Sequence, residues 1–476
     1  MAFSIKANLL LRSVYAVLSE LASMMPTACG QYYFTYRLTP PRYKRFSSFT
    51  IGHLTVLAWI ATVAIQSMLA GTMIQGLIQL NYPNYESKPW QGTLFTWAVI
   101  TVDIFINVII PNSLPKIELM MLAIHVAGFI AIIAALLSTA EKSSAKEVWF
   151  TAFNKGGWPT QGLSFCVGFL GNIGTFVGSD ASTHISEEVI NAQLNIPRAI
   201  CTGMIFNVIL GFAMMVALLY CLGDANSVLE SPTKFPFIQI FYNSVQSVGG
   251  TTGMTVVVLI LTWGCSVGIL TTASRLAWSL ARDLGMPFSR YLKEVNQSTR
   301  IPVYAVFLVA IFAALLALIY VGSDVAFNDV LSLTITGFYG SYFLPCALLL
   351  YHRIKRKIHP YGTQLPQRRE QSPPVLSANG TPDLGAKPLV ILNTDNESTE
   401  PPLTWGPWRL PGLFGTINNA YACVYMIYVI FWSVWPPATP VSARTMNYSI
   451  VVTSGILILS GVWYVVKGRE VYNPGR

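Results

Sequence analysis

The feature that most constrains this chain is a series of long apolar segments separated by Pro, Gly, Asn and charged clusters. A helix needs about 20 mostly apolar residues to cross a bilayer. Ten segments qualify clearly: residues 49–80, 93–110, 117–138, 163–177 with its continuation, 198–222, 253–280, 302–321, 330–350, 417–435 and 449–466. An eleventh, less apolar candidate, residues 9–25, carries Arg12 and Glu20, so we expect it to need neighbouring helices to hold it.

The composition agrees with a membrane protein. Only 11% of the residues are charged and 53% are hydrophobic, whereas a soluble domain has about 25% charged residues to cover its surface. This balance excludes a soluble enzyme, a nucleic-acid binder and a disordered protein, and the net charge of +9 is best matched to a membrane surface. Seven cysteines stand singly, without a CxxC pair, as small buried hydrophobes do. The sequence therefore predicts an all-α polytopic membrane protein with about 11 transmembrane helices.

The distribution of Lys and Arg predicts the orientation and the domain organisation. The largest basic clusters fall in residues 37–45 and 352–412, and basic loops face the cytoplasm. The second of these stretches is rich in Pro, Ser and Asn, which is typical of a partly disordered loop. We expect four parts: a transmembrane core at 1–351, a cytoplasmic Pro-rich loop at 352–411, two C-terminal helices at 412–466 and a cytoplasmic tail at 467–476.

Residues 163–200 form the most informative stretch, because four glycines within eleven residues precede Asp180. A glycine within a helix costs about 1 kcal/mol relative to alanine, and carboxylates inside a membrane are rare and usually functional. The pattern predicts a discontinuous helix, interrupted near residues 174–182, whose bare backbone groups line a cavity. The alternative is that Gly178 marks a close helix contact and Asp180 is interfacial. We expect Pro197 to begin the next helix.

Several polar side chains follow the glycines. Asp180, His184 and Glu187 would share one face of a helix, so a metal site is geometrically possible. No second His–carboxylate cluster accompanies them, and we predict neither a metal nor a cofactor. The favoured interpretation is an electrostatic helix end at the cytoplasmic mouth, where Glu187 and Glu188 meet loop arginines or lysines. A purely structural role, in which they pair with Arg198 or a loop lysine to close that mouth, is the alternative to a role in coupling. Because the sequence contains no catalytic motif, we do not predict an enzyme.

Few other polar residues lie inside the apolar segments. Asp103 and Asn107 are one helical turn apart and could hydrogen-bond to a neighbouring helix. A structural role and a role in transport both remain open for them. Arg275 lies near the end of its segment, where we expect it to be interfacial.

Five strings in this sequence resemble the fungal amino acid/choline/γ-aminobutyrate (GABA) permeases of the amino acid–polyamine–organocation superfamily. The resemblance runs from about Ser19 to the C-terminus, with the strings in order. The strings are SELASMMPTACGQYY (19–33), GTMIQGLIQLNYPNYE (71–86), VGSDASTHISEEVINAQLNIPRAI (177–200), SRLAWSLARDLGMPFS (274–289) and FWSVWPPATPVSARTMNYS (431–449).

The resemblance implies a LeuT-like transporter fold with two inverted repeats and two further helices. It also implies a substrate held at mid-membrane by broken helices, and uptake coupled to protons. The family's first helix has no counterpart in these strings, so we expect a truncated first repeat. We expect the predicted break to bind substrate through Gly174, Thr175, Gly178, Ser179 and Asp180. Because few carboxylates lie within or beside the apolar segments, we expect Asp180, Glu187 and Glu188 to serve in coupling or gating.

The function that follows is secondary active transport of amino acids or related amines such as choline or GABA, coupled to protons. The expected partners are therefore that small-molecule substrate, protons and the lipid bilayer, with no nucleic acid. We expect the plasma membrane, with the vacuolar membrane as the alternative. A non-transporting or degenerate permease-like membrane protein is the competing functional hypothesis.

Overall fold

The computed structural model describes residues 2–322, 326–363, 401–442 and 446–474, with side chains described from Arg12 onward and not at residue 326. Within these residues every regular element is helical, apart from one isolated parallel bridge between His359 and Thr404. The α-helices are α1 Ala2–Met24, α2 Gln31–Leu38, α3 Lys44–Asn81, α4 Pro89–Ile109, α5 Leu114–Thr139, α6 Ala145–Phe150, α7 Gln161–Gly174, α8 Ala192–Tyr220, α9 Ala225–Leu229, α10 Pro236–Val245, α11 Val248–Arg282, α12 Ser289–Leu292, α13 Val303–Ala317, α14 Ile319–Gly322, α15 Ala326–Ile354, α16 Gly412–Ser433, α17 Ser449–Trp463 and α18 Arg469–Val471. Pro111–Ser113 and Ala181–Glu188 form 3₁₀-helices, and Tyr464–Gly468 forms a π-helical turn.

Nine helical segments in the described residues are long and apolar enough to cross a membrane. They correspond to nine of the eleven expected spans, and the prediction of an all-α polytopic membrane protein is confirmed. The other two spans, at residues 9–25 and 163–177, are helical but are not among the nine. Helix α7 has only 14 residues, which at 1.5 Å per residue is about 21 Å, less than the hydrocarbon thickness of a bilayer. Helix α1 carries the charged residues noted above.

Local sequence signals set many helix starts. Proline occupies the first turn of α4, α5 and α10, where its missing N–H costs no hydrogen bond. Hydroxyl side chains cap three other helices by accepting a hydrogen bond from a backbone N–H. These pairs are Ser144 with Glu147 at α6, Thr160 with Leu163 at α7, and Ser247 with Gly250 at α11.

Helix α3 is the centre of the bundle. It packs against α2, α4, α11, α13, α15 and α17, and its buried residues extend from Ser48 to Gly76. Close packing on α3 uses small residues: a Cβ atom at Gly337 of α15 would lie 2.9 Å from the Cβ of Ala58. Small residues at such contacts let the two helix backbones approach closely. This close packing matters in a bilayer, because the hydrophobic effect does not drive helices together there.

A buried ion pair holds the charged helix α1 in place. Glu20 is fully buried, and Arg353 of α15 donates to its Oε2 atom at 2.5 Å. The Oε1 atom of Glu20 accepts a second hydrogen bond from the backbone N–H of Leu410 at 2.8 Å. These contacts supply the neighbours that the sequence requires for this helix, since a buried charge is tolerated only when it is paired and hydrogen-bonded.

The prediction that Pro197 begins a helix is wrong. Helix α8 begins at Ala192, and Pro197 lies in its second turn. A proline there cannot donate to the carbonyl four residues earlier, which belongs to Gln193. The hydroxyl of Ser23 in α1 donates to that carbonyl instead, at 2.8 Å. The helix therefore continues through the proline because a neighbouring helix satisfies the freed carbonyl.

The two basic clusters and the C-terminal residues meet at one end of the bundle. Arg37 donates to the carbonyl of Pro401 at 2.5 Å, and Arg45 donates to the carbonyl of Tyr472 at 2.6 Å. The bridge at His359 joins the beginning and the end of the Pro-rich loop, whose residues 364–400 lie outside the described ones. These contacts agree with the expectation that the two basic clusters and the C-terminal residues lie on the same side of the membrane. That this side is cytoplasmic remains a prediction.

We expect Glu20→Gln to destabilise the protein by about 3–5 kcal/mol, because it leaves the buried guanidinium of Arg353 without its counter-charge. The double variant Glu20→Leu with Arg353→Met should recover most of this loss. Thermal unfolding of the purified chain in detergent measures both effects. Glu141→Gln, which removes one exposed carboxylate, is the matched control. An unfolding midpoint of Glu20→Gln equal to that of the control would show that the pair does not hold α1.

Candidate functional site

The chain breaks its helical hydrogen bonding where the glycines precede Asp180. Helix α7 ends at Gly174, and a run of turns leads to the 3₁₀-helix Ala181–Glu188. Backbone bonds in this stretch span three residues, as from the N–H of Ala181 to the carbonyl of Gly178 at 2.9 Å. The predicted interruption near residues 174–182 is confirmed.

Two of the glycines have distinct roles in the break. A Cβ atom at Gly174 would lie 2.9 Å from Leu331 of α15, so the last residue of α7 is in tight contact. Gly178 has a φ angle of +82°, a conformation that side chains other than glycine rarely adopt. A Cβ atom there would lie 3.4 Å from the Trp59 ring. Gly178 is therefore required by the turn rather than by helix packing, which excludes the alternative interpretation.

Asp180 is fully buried and joins three elements. Its Oδ2 atom accepts a hydrogen bond from Nε2 of Gln31 in α2 at 2.6 Å, and its Oδ1 atom accepts a short hydrogen bond from the hydroxyl of Tyr342 in α15. The Nε2 atom of His184 lies 3.3 Å from Oδ2. Asp180 is thus a mid-bundle carboxylate and not an interfacial one.

The protonation of His184 follows from its second contact. Its Nδ1 atom lies 2.9 Å from the carbonyl oxygen of Ala28. A carbonyl can only accept, so Nδ1 carries a proton, and Nε2 faces Asp180. The contact with Ala28 therefore orients the ring so that Nε2 lies against the carboxylate of Asp180.

Aromatic rings enclose this pair. Trp59 of α3 meets the His184 ring edge to face at a centroid distance of 5.7 Å and meets Phe338 of α15 at 5.0 Å. Tyr15 of α1 packs on Tyr342 at 6.3 Å, and its hydroxyl donates a short hydrogen bond to the carbonyl of Phe176 within the break. The carboxylate is therefore surrounded by aromatic faces and edges.

The acidic pair at the end of the 3₁₀-helix meets arginines, as predicted, but these belong to α11 and are neither Arg198 nor a loop lysine. Glu187 accepts two hydrogen bonds from Arg282, at 3.0 and 3.1 Å, and one from the backbone N–H of Ala28 at 3.3 Å. Glu188 accepts from Nε of Arg275 at 2.6 Å. Arg275 and Arg282 are seven residues apart, so both lie on the face of α11 turned toward the 3₁₀-helix.

A cavity of about 530 Å³ lies directly outside the Glu187–Arg282 pair. Met24 to Thr27, Tyr33 and Arg37 form one side, and residues 401–404 form the other. Glu187 and Arg282 line this cavity, whereas the fully buried Asp180 does not.

The structure brings some of the predicted site residues together and separates others. Ser179 donates to the carbonyl of Phe176 at 3.0 Å and lies beside Asp180 in the break. Thr175 is exposed at the end of α7, and its hydroxyl donates to the carbonyl of Asn172 at 2.8 Å. Within the described residues, no group of three His, Cys, Asp or Glu side chains is placed to hold a metal ion.

Asn107 forms the expected contact between helices. It accepts from the hydroxyl of Thr271 in α11 at 2.5 Å and donates to the carbonyl of Val267 at 3.2 Å. Asp103 is fully buried on the same helix. The side chains of Ser266 and Trp263 in α11 lie within hydrogen-bonding reach of it. Asn107 therefore joins α4 to α11, and Asp103 is a second buried carboxylate apart from the break.

Sequence analysis missed four residues of the Asp180 site: Gln31, Tyr342, Tyr15 and Trp59. Gln31 falls within one of the recognised strings, and Tyr342 ends the polar run TITGFYGSY of α15, so a weak signal existed for both. Tyr15 and Trp59 look like ordinary core aromatics in the sequence.

The comparisons with known proteins agree with this architecture. The sequence profile of the family described as amino acid permease matches residues 7–456. The chain belongs to the amino acid permease family and is an integral membrane protein. The resemblance found in the five strings is thereby confirmed.

Relatives that match most of this chain carry transporter names. A choline transporter of Saccharomyces cerevisiae is 27% identical over 96% of this chain and 73% of its own length. An amino-acid permease of Arabidopsis thaliana is 26% identical over 95% of this chain and 81% of its own. The crystal structure of a manganese transporter mutant of Eremococcus coleocola has a TM-score of 0.51 and 14% identity, covering 98% of this chain and 88% of that one. This likeness shows the fold alone and supports the predicted transporter fold.

We expect Gly178→Ala to lower the stability by about 1–2 kcal/mol, because alanine is strained at a positive φ angle. Gly171→Ala is the matched control, since Gly171 lies within α7 and its added Cβ would meet nothing within 4 Å. The control should be neutral or slightly stabilising. Thermal unfolding of the purified variants gives the comparison, and equal midpoints would mean that the break does not need a glycine.

Proposed function

We propose that this protein is a secondary active transporter of amino acids or related amines such as choline or GABA, coupled to protons. The observation that carries the proposal is the buried Asp180 carboxylate, held in a helix break at the centre of the bundle. Membrane transporters place substrate and ion sites at such breaks, where backbone groups are left for a ligand. The permease and transporter names of the relatives support the same class of substrate.

The chemistry of the site suits an ammonium group. Amino acids, GABA and choline all carry a positively charged nitrogen, and a buried carboxylate is its natural counter-ion. The rings of Trp59, Phe338 and Tyr342 can add cation–π attraction, which serves a quaternary nitrogen that has no N–H to donate. Asp180 would exchange its hydrogen bonds from Gln31 and Tyr342 for the substrate when the site opens.

The Asp180–His184 pair is the proposed proton carrier. Histidine is the side chain whose unperturbed charge changes between about pH 5 and 8, and the 3.3 Å contact links its charge to that of Asp180. A zwitterionic amino acid or GABA would place its ammonium group against Asp180 and its carboxylate against a protonated His184, so that substrate and proton bind together. Substrate and proton occupancy are thereby coupled through one pair of residues.

Glu187 and Glu188 act in this proposal as the gate on the side of the basic clusters. Their ion pairs with Arg282 and Arg275 tie the 3₁₀-helix to α11. Both pairs are partly exposed, so water screens them and they can open and close at little cost. The plasma membrane is the proposed location, with the vacuolar membrane as the alternative.

A non-transporting permease-like protein is the second candidate. The observation that favours it is the saturation of Asp180, which already has two hydrogen-bond donors and His184 beside it. A site that never releases these partners would remain closed. Uptake assays separate the two candidates directly.

The test is uptake of radiolabelled choline, GABA and a panel of amino acids by cells that lack their own permeases for these compounds. Uptake of at least one compound should fall as the external pH rises, because fewer protons are available. Asp180→Asn and His184→Gln should flatten this pH dependence, because the proton-binding pair is lost. No uptake of any compound by a chain present at the cell surface would favour the second candidate.

Asp103→Asn is the matched control, since it neutralises a second fully buried carboxylate away from the break. It should retain the pH dependence of uptake even if the rate falls. Surface expression of each variant is measured first. Asp180→Asn with a pH profile unchanged from the parent would remove Asp180 from the coupling mechanism.

A further inference from the structure

A basic cavity of about 560 Å³ lies between the end of α15 and the beginning of α16, away from the Asp180 site. Three arginines, Arg353, Arg356 and Arg409, line it together with Trp405. No Asp or Glu is among the described residues that line it. Glu20 neutralises Arg353 from outside the cavity. The positive charges of Arg356 and Arg409 therefore remain to attract an anion.

Two of the arginines stack on Trp405. The guanidinium carbon of Arg353 lies 4.6 Å from the centre of the Trp405 ring, and that of Arg409 lies 5.8 Å from it. The side chain of Arg353 is only 6% exposed, and its Nε–H has no hydrogen-bond partner among the described residues. Trp405 therefore orients two guanidinium groups that line the cavity.

The third arginine occupies a position that favours glycine. Arg356 follows the end of α15 with a φ angle of +52°, the left-handed conformation that glycine usually provides after a helix. An L-residue is strained in this conformation. Strain of this kind is retained where the side chain has a use, and here the side chain lines the cavity.

The cavity also borders the apolar surface of the bundle. Ile354 and Leu413, which line it, are 60% and 75% exposed, and the neighbouring Phe414 is 64% exposed. Exposed apolar side chains beside arginines are typical of the boundary between lipid tails and headgroups. A ligand here would therefore meet charge at one end and hydrocarbon at the other.

We propose that this cavity binds the phosphate-bearing headgroup of an anionic phospholipid from the surrounding bilayer. The guanidinium groups of Arg356 and Arg409 match phosphate oxygens in pairs. The acyl chains would lie against Ile354, Leu413 and Phe414. The bound lipid would join the end of α15 to the beginning of α16, across the two ends of the Pro-rich loop. This site does not depend on the proposed transport function.

The test is native mass spectrometry of the purified full chain titrated with dioctanoyl phosphatidylinositol 4-phosphate. One equivalent should bind, and the double variant Arg356→Gln with Arg409→Gln should bind about tenfold more weakly or worse, because hydrogen bonds to charged groups are lost. The control Arg42→Gln with Lys357→Gln removes the same charge from residues that lie over tyrosine rings outside the cavity. It should bind as the parent does.

Three outcomes would overturn the proposal. One is binding by the Arg356/Arg409 variant within about threefold of the parent. The second is equal binding of dioctanoyl phosphatidylcholine, which would show that the cavity does not distinguish an anionic from a zwitterionic headgroup. The third is displacement of the lipid by inorganic phosphate at equal concentration, which would indicate a site for soluble anions. If the double variant does not fold, Arg409→Gln alone provides the measurement, since Arg409 is exposed and lies outside the helices.

Discussion

The structure depends on one buried carboxylate placed where a helix is broken. An ionised Asp180 in a membrane interior is costly by several kcal/mol unless polar groups surround it. Gln31, Tyr342 and His184 supply those groups from α2, α15 and the 3₁₀-helix. Each donor fixes the position of the element that carries it. The packing of these elements around the central helix α3 therefore also supplies the polar contacts that stabilise the buried carboxylate.

The break itself explains why the segment needs its neighbours. Helix α7 is too short to cross a bilayer by itself, and the backbone hydrogen bonds in the turns that follow span only three residues. The hydroxyl of Tyr15 satisfies the carbonyl of Phe176, and Asn207 donates to the carbonyl of Thr175 at 3.2 Å. The ion pair from Glu187 to Arg282 ties the far end to α11. A segment held by side chains rather than by its own backbone can change its contacts without unfolding a helix.

The sequence predicted the membrane helices, the family and the position of the break, because each has a local signature. Apolar length identifies a span, and glycines before a carboxylate identify an interruption. It did not predict the partners of Asp180, since Gln31 and Tyr342 are 149 and 162 residues away along the chain. The same distance problem explains why the arginine that pairs with Glu187 was not identified, since Arg282 is 95 residues away. Pro197 was misassigned because its compensation, the hydroxyl of Ser23, comes from another helix.

The central claim is that this chain, with Asp180 at its helix break, moves a charged small molecule across a membrane by using protons. The most direct measurement is uptake of radiolabelled choline or an amino acid by proteoliposomes that contain only the purified chain, under an imposed pH gradient. The account predicts accumulation above the external concentration, which disappears when a protonophore collapses the gradient. Uptake that only equilibrates, and does so equally with and without the gradient, would contradict it.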